Sequence, residues 1–146
     1  MEFNKIKERL LKGEELEEIL KSYDWKFFED FVAEIFLANG FKVKKRFVFK
    51  TNKKFEIDVF AEKDEIVFCV ECKKWKRGRY KKYALKKAAK KLEEKCKELQ
   101  IFLKNKEIFP LIVTLYQEDV LKHNSTFFVP VWKLNNFLLN LEIYFK

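Results

Sequence analysis

Hydrophobic positions change period several times along the chain, and each change marks an element. In "WKFFEDFVAEIFLAN" the residues Phe28, Phe31, Val32, Ile35 and Phe36 recur at intervals of three and four, which is one face of a helix. Asp24 is placed to cap its first turn and Asn39-Gly40 to end it. Upstream, "GEELEEILKS" sets Leu16, Ile19 and Leu20 at the same spacing beyond Gly13, so residues 1–23 read as two short helices forming a cap on a main domain, 24–146. "FKVKKRFVF" reads as a strand followed by a polar turn at Thr51 to Lys54.

Over residues 55–62 the period falls to two. Phe55, Ile57, Val59 and Ala61 are expected on one face, with Glu56, Asp58, Phe60 and Glu62 on the other. Residues 66–73 are apolar on both faces until Glu71, the mark of a central strand. A long helix is predicted from about Tyr80 to Leu103, with Tyr80, Ala84, Ala88, Leu92, Cys96, Leu99 and Leu103 inward and lysines outward. "PLIVTLY" then reads as a buried strand, "FFVPVW" as a shorter one and "KLNNFLLNLEIYF" as a terminal helix. The alternation predicts an α/β fold, a central mixed β-sheet flanked by α-helices.

Composition adds that this sheet has a core to sit in. The 146 residues are 48% hydrophobic with 17 Phe, enough for one compact core. No apolar run approaches the roughly 20 residues that cross a bilayer, and the amino terminus is too charged for a signal peptide, so a soluble, cytoplasmic protein is expected. Cys69 and Cys72 form a C-x-x-C, but residues three apart on a strand point to opposite faces; with Cys96 they read as reduced packing residues. Glycine-rich phosphate loops and G-x-S-x-G elbows are missing from the sequence, which argues against nucleotide hydrolases and serine esterases.

Charge is unevenly placed. The net charge is +9, yet Lys73 to Lys97 alone carries 13 Lys/Arg against 2 Glu, so the rest of the chain is slightly acidic. Such a block is either a solvated lysine-rich helix or the footprint of a polyanion, nucleic acid before membrane since no lipid-facing stripe accompanies it. Lys74, Lys76, Arg77, Arg79, Lys81 and Lys82 are the candidates to grip a nucleic-acid backbone. Trp75 and Tyr80 are either stacking platforms or core residues. His123, the only histidine, falls in a polar loop without an assigned role.

The acids at the hairpin are harder to explain as surface. Glu71 and Lys73 lie two apart on one strand and share a face. A two-residue loop at Asp64-Glu65 places Asp58 opposite Glu71 with Cβ atoms ~5 Å apart; an odd loop without a bulge separates them. Two carboxylates that close repel unless a cation joins them. Hard oxygen ligands without a nearby histidine favour Mg²⁺ or Mn²⁺ over zinc, with the backbone carbonyl of Cys72 available to complete the protein's share. A strand-end ion pair between Glu71 and Lys73 is the plainer alternative.

These residues carry a resemblance. An acid-bearing helix, then "ID", then "ECK" at a strand end followed by a basic helix resembles the PD-(D/E)XK nuclease superfamily, in its Mrr-like restriction endonuclease branch, over roughly Trp25 to Leu103. The resemblance implies a restriction-endonuclease-like core and a Mg²⁺- or Mn²⁺-dependent endonuclease of DNA whose products carry 5′-phosphates. It assigns Asp58 and Glu71 to the metal, Lys73 to the attacking water and Glu29, in "FFEDFVAEIF", to the glutamate of the first helix. Glu29 borders that helix's apolar face, whereas Asp30 and Glu34 are expected on the opposite side. Ile57 stands where the superfamily's name has Pro, and the glutamine that follows E-x-K in some relatives is missing from "KRGRYKKYALKK". A separate DNA-recognition domain has no room in the first 24 residues. Cutting a duplex with one small site suits a homodimer, for which "NFLLNLEIYF" offers an interface or else an ordinary packed helix. A Holliday-junction resolvase, an RNA-directed nuclease and a catalytically silent nucleic-acid-binding module of the same fold are the rivals.

Overall fold

The computed structural model describes residues 2–74, 81–118 and 121–145. Two short helices, α1 (Glu2–Leu11) and α2 (Leu16–Leu20), precede α3 (Trp25–Ala38). Gly13 between the first two takes a left-handed φ of 93°. At the start of α3, Asp24 accepts a hydrogen bond from the Phe27 amide at 2.9 Å, and the helix ends at Gly40, whose φ of 86° a side chain would strain.

Strands β1 (Lys42–Lys50), β2 (Lys54–Lys63) and β3 (Ile66–Lys73) follow, then α4 (Lys81–Gln100), β4 (Glu107–Thr114), β5 (Lys122–His123), β6 (Thr126–Pro130) and the helices α5 (Leu134–Leu139) and α6 (Leu141–Tyr144). They form one six-stranded sheet in the order β1-β2-β3-β4-β6-β5. The β1–β2, β2–β3 and β5–β6 pairs are antiparallel, while β3–β4 and β4–β6 are parallel, so the sheet is mixed and β3 is interior.

Each face has its own core. On one, Ile6, Ile19, Leu20, Phe28, Val32 and Phe36 pack with Val59, Ala61, Phe68, Val70 and Phe137. On the other, Leu85, Ala89, Leu92, Cys96 and Leu99 of α4 pack on Ile57, Phe60, Val67 and Cys69. Cys69 and Cys72 do face opposite sides, and all three cysteines are unpaired.

Several expectations need correction. Ile57 lies on the α4 side with Phe60, although Val59 and Ala61 face α3. In β1 the change is matched: Val43 packs on the α3 side, Phe47 and Phe49 on the α4 side. The cause is local. Arg46 has φ 50°, a conformation costly for a residue with a Cβ, and the β1–β2 ladder skips the position where it would face Asp58. The ribbon turns over at Arg46 and Asp58, so strict alternation fails there.

The inward stripe of α4 runs through Leu85 and Ala89, with Ala84 and Ala88 at its flank; Tyr80 lies outside the described residues. His123 belongs to the two-residue β5 rather than to a loop. The terminal helix is broken at Asn140, whose φ and ψ of −124° and 36° are non-helical. Its Leu134, Phe137 and Leu138 are buried in the protein's own core, while Leu139 and Ile143 are exposed. Among the described residues no helix is long and apolar enough to cross a membrane.

Candidate active site

The β2–β3 turn decides which side chains meet. Lys63 pairs with Ile66, leaving Asp64-Glu65 as a two-residue loop, with Asp64 at φ 54° supplying the left-handed step such a loop needs. The register runs back to Val59 against Val70, the last pair of the ladder, with Asp58 and Glu71 the next residue along each strand. There the ladder stops, and the Asp58 carboxylate takes over its hydrogen bonding: the Cys72 amide donates to Asp58 Oδ2 at 2.9 Å.

Asp58 is pushed up to about 6, chiefly by burial and next by the negative charge of Glu71. The Cys72 amide and the ammonium groups of Lys95 and Lys73 pull the other way. Asp58, Glu71, Lys73 and Lys95 thus share one electrostatic neighbourhood at the carboxyl end of β3. Glu29 is joined to it from α3. It is only 3% exposed, and burial followed by repulsion from Asp58 raises its carboxyl to about 7, against the opposing guanidinium of Arg46. Cys72, in the middle, has its thiol raised by burial and then by Asp58, Glu29 and Glu71 in turn.

Two cations hold this acid group together, and neither was singled out from sequence. Arg46 Nη1 donates to Glu29 Oε1 at 2.7 Å, with Nη2 3.8 Å from Asp30. Asp30 also accepts from Lys45 at 3.0 Å, so it faces β1 rather than the opposite side of α3. Lys95 Nζ, from the last third of α4, lies 2.8 Å from Glu71 Oε1 and donates to the Glu56 carbonyl at 2.8 Å. Beside them opens a cleft of about 440 Å³ lined by Lys53, Lys54, Glu56, Asp58, Lys91 and Lys95.

Of the proposed nucleic-acid contacts, Lys74 is turned inward: its ammonium bonds the Lys21 carbonyl at 3.2 Å and that of Tyr23, tying the end of β3 to the amino-terminal helices. Lys82 is exposed on the first turn of α4. Lys76, Arg77 and Arg79, with Trp75 and Tyr80, lie outside the described residues, as does the Lys81 side chain.

As a metal site, the donor set is two half-buried carboxylates that repel each other at a strand end. Among the described residues no three His, Cys, Asp or Glu side chains group as a complete ligand shell. Two carboxylates with a backbone carbonyl and solvent fit a hard cation that keeps its water, and fit zinc poorly.

Comparison with known proteins adds a family to this geometry. A family model described as restriction endonuclease, the Mrr catalytic domain, matches residues 20–109. An uncharacterized protein of Archaeoglobus fulgidus is 36% identical over 121 residues, covering 82% of this chain and 93% of its own. A crystal structure of a protein of unknown function aligns with a TM-score of 0.49 and 22% identity over 77% of this chain; the chain spans about half of that one's length, 54%.

Proposed function

The chain belongs to the Mrr-type restriction endonuclease family, and from that premise we propose that it is a metal-dependent endonuclease hydrolysing phosphodiester bonds of DNA. The observation that carries this reading is the Asp58 carboxylate held 2.9 Å from the Cys72 amide, between Glu71 and Lys73 at the end of β3. Half-buried acids that repel each other cost stability, and a cation shared between them offsets that cost.

Asp58, Glu71 and the Cys72 carbonyl would hold Mg²⁺ or Mn²⁺. Such an ion supplies a Lewis acid for the scissile phosphate and lowers the pKa of a water toward neutrality. The chain's own groups do the rest. The Cys72 amide fixes the Asp58 carboxylate in one orientation. Lys73 orients the attacking water and offsets charge growing on the phosphoryl oxygens. Glu29, held by Arg46, positions a further water or a second ion. Lysines of the cleft, with Lys82 and the basic run Lys76 to Lys81, hold the flanking backbone without reading sequence. A cytoplasmic homodimer would bring two such sites to the two strands of a duplex.

The test is incubation with supercoiled plasmid, linear duplex and four-way junctions under Mg²⁺, Mn²⁺ or EDTA. Metal-dependent nicking lost in Asp58→Asn is the expected result. Cleavage confined to junctions would reassign the protein as a resolvase. DNA binding without nicking under any metal would leave a silent module instead.

A further inference from the structure

A second groove lies beyond the cleft. It measures about 690 Å³ and is lined by Tyr83, Lys86, Lys87, Lys90 and Lys91 of α4, with His123 and Asn124 as the far wall. Lys91 and Glu94 line both hollows, so the two adjoin over α4, one reaching Asp58 and the other the β5–β6 turn. That wall is fixed: Glu93 Oε2 accepts from the Ser125 amide at 3.1 Å and the Thr126 hydroxyl at 2.7 Å, which pins the turn to the helix.

Helix stability does not account for this surface. Lys86 and Lys90, like Lys87 and Lys91, are like charges four residues apart, an arrangement that destabilises a helix. Nor does packing account for Tyr83, which is 72% exposed at the end of the lysine row. A row of ammonium groups ending in an open aromatic ring suits a phosphate backbone whose bases are free to stack, and a duplex hides the base faces such a ring would use. From Tyr83 to Glu94 the helix runs ~16 Å, the length of about five stacked nucleotides of one strand.

We propose that this groove binds a single-stranded DNA segment leading to or from the cleavage site, so that the preferred substrate is a duplex with an unpaired strand beside the scissile bond. The proposal rests on the nuclease reading for its link to cleavage, but the groove is tested without it. Anisotropy of a labelled oligothymidylate, in EDTA, is read for the wild type, Tyr83→Ala and the pair Lys87→Gln, Lys90→Gln; all three positions are exposed. Tyr83→Ala should weaken single-strand binding about tenfold and leave a blunt duplex far less affected. The lysine pair should lower the slope of log affinity against log salt by about 1.4. Unchanged affinity and slope, or an equal loss on duplex, overturns the groove, and tighter binding of oligouridylate overturns its assignment to DNA. Should plasmid nicking fail while these effects persist, the nuclease reading falls and the groove stands. If nicking succeeds and the variants are silent, the reverse holds.

Discussion

Glu29 and Glu71 each meet a basic side chain, yet the two pairs are built differently. Glu29 has a 4% exposed side chain, and its partner Arg46 projects from a left-handed backbone position where the β1–β2 ribbon turns over. Glu71 is more open at 13%, and its partner Lys95 is a flexible stem on α4 that shares its protons with the Glu56 carbonyl. A planar guanidinium in a forced geometry is a fixed part of the scaffold, whereas a lysine ammonium is readily displaced. One pair holds the site's shape, and under the proposed function the other keeps a cation's place.

The largest effect should come from the acid between them. Asp58→Asn removes one of the two proposed metal carboxylates while keeping an acceptor for the Cys72 amide. Nicking by this variant should fall about 10³-fold or more with folding retained. A milder loss in initial-rate measurements would mean that Glu29 and Glu71 suffice, and the contrast between the pairs would lose its centre.

Next is Arg46→Ala, which leaves Glu29 buried without its guanidinium. Because Arg46 is itself 36% exposed, the cost should be about 2–3 kcal/mol, below that of breaking a fully enclosed pair. Urea unfolding reads it, and Arg46→Lys should recover only part. Equal stability in all three proteins would show that the pair carries no structural weight.

Why the sequence shows Asp58 and Glu71 but conceals both cations follows from the same geometry. The acids were legible because a two-residue loop and a strict register fix which positions oppose, and strand alternation keeps Glu71 beside Lys73. Arg46 was not, since a left-handed arginine inside a strand has no signature in residue type; the misplaced face of Ile57 has the same origin. Lys95 was hidden among 13 basic residues, where only helix phase tells which one reaches the sheet. The predicted stripe through Ala84 and Ala88 was one residue away from the buried Leu85 and Ala89. Two residues of strand carry no periodicity, so the sequence around His123 looks like a loop.

Proton binding offers a smaller effect. Asp58 at about 6 and Glu29 at about 7 lie above the ordinary carboxylate values of 3.8 and 4.5, so the folded apo protein holds protons that the unfolded chain has released. Their contribution is full below about pH 4 and is lost as pH rises through 6 and 7. Compared with Asp58→Asn, whose amide does not titrate, the metal-free wild type should lose about 2 kcal/mol between pH 4 and 7. Added Mn²⁺ should reverse the trend, because metal binding releases those protons. A stability difference that is flat across this range would mean that burial and the charge of Glu71 do not raise the Asp58 carboxyl.

The finest discrimination lies with Lys95→Met, which keeps most of the stem and deletes the charge. If Lys95 keeps a cation's place, metal-free stability should fall by about 1 kcal/mol, as Glu71 loses a partner that solvent partly replaces. Mn²⁺ affinity by calorimetry should meanwhile rise severalfold, since the ion no longer displaces an ammonium. The same change at Arg46 should give no such gain, because its guanidinium sits on Glu29 rather than on the Asp58–Glu71 pair. Weaker Mn²⁺ binding by Lys95→Met would mean that Lys95 orients Glu71 for the ion. The two pairs would then be alike in kind, differing only in burial.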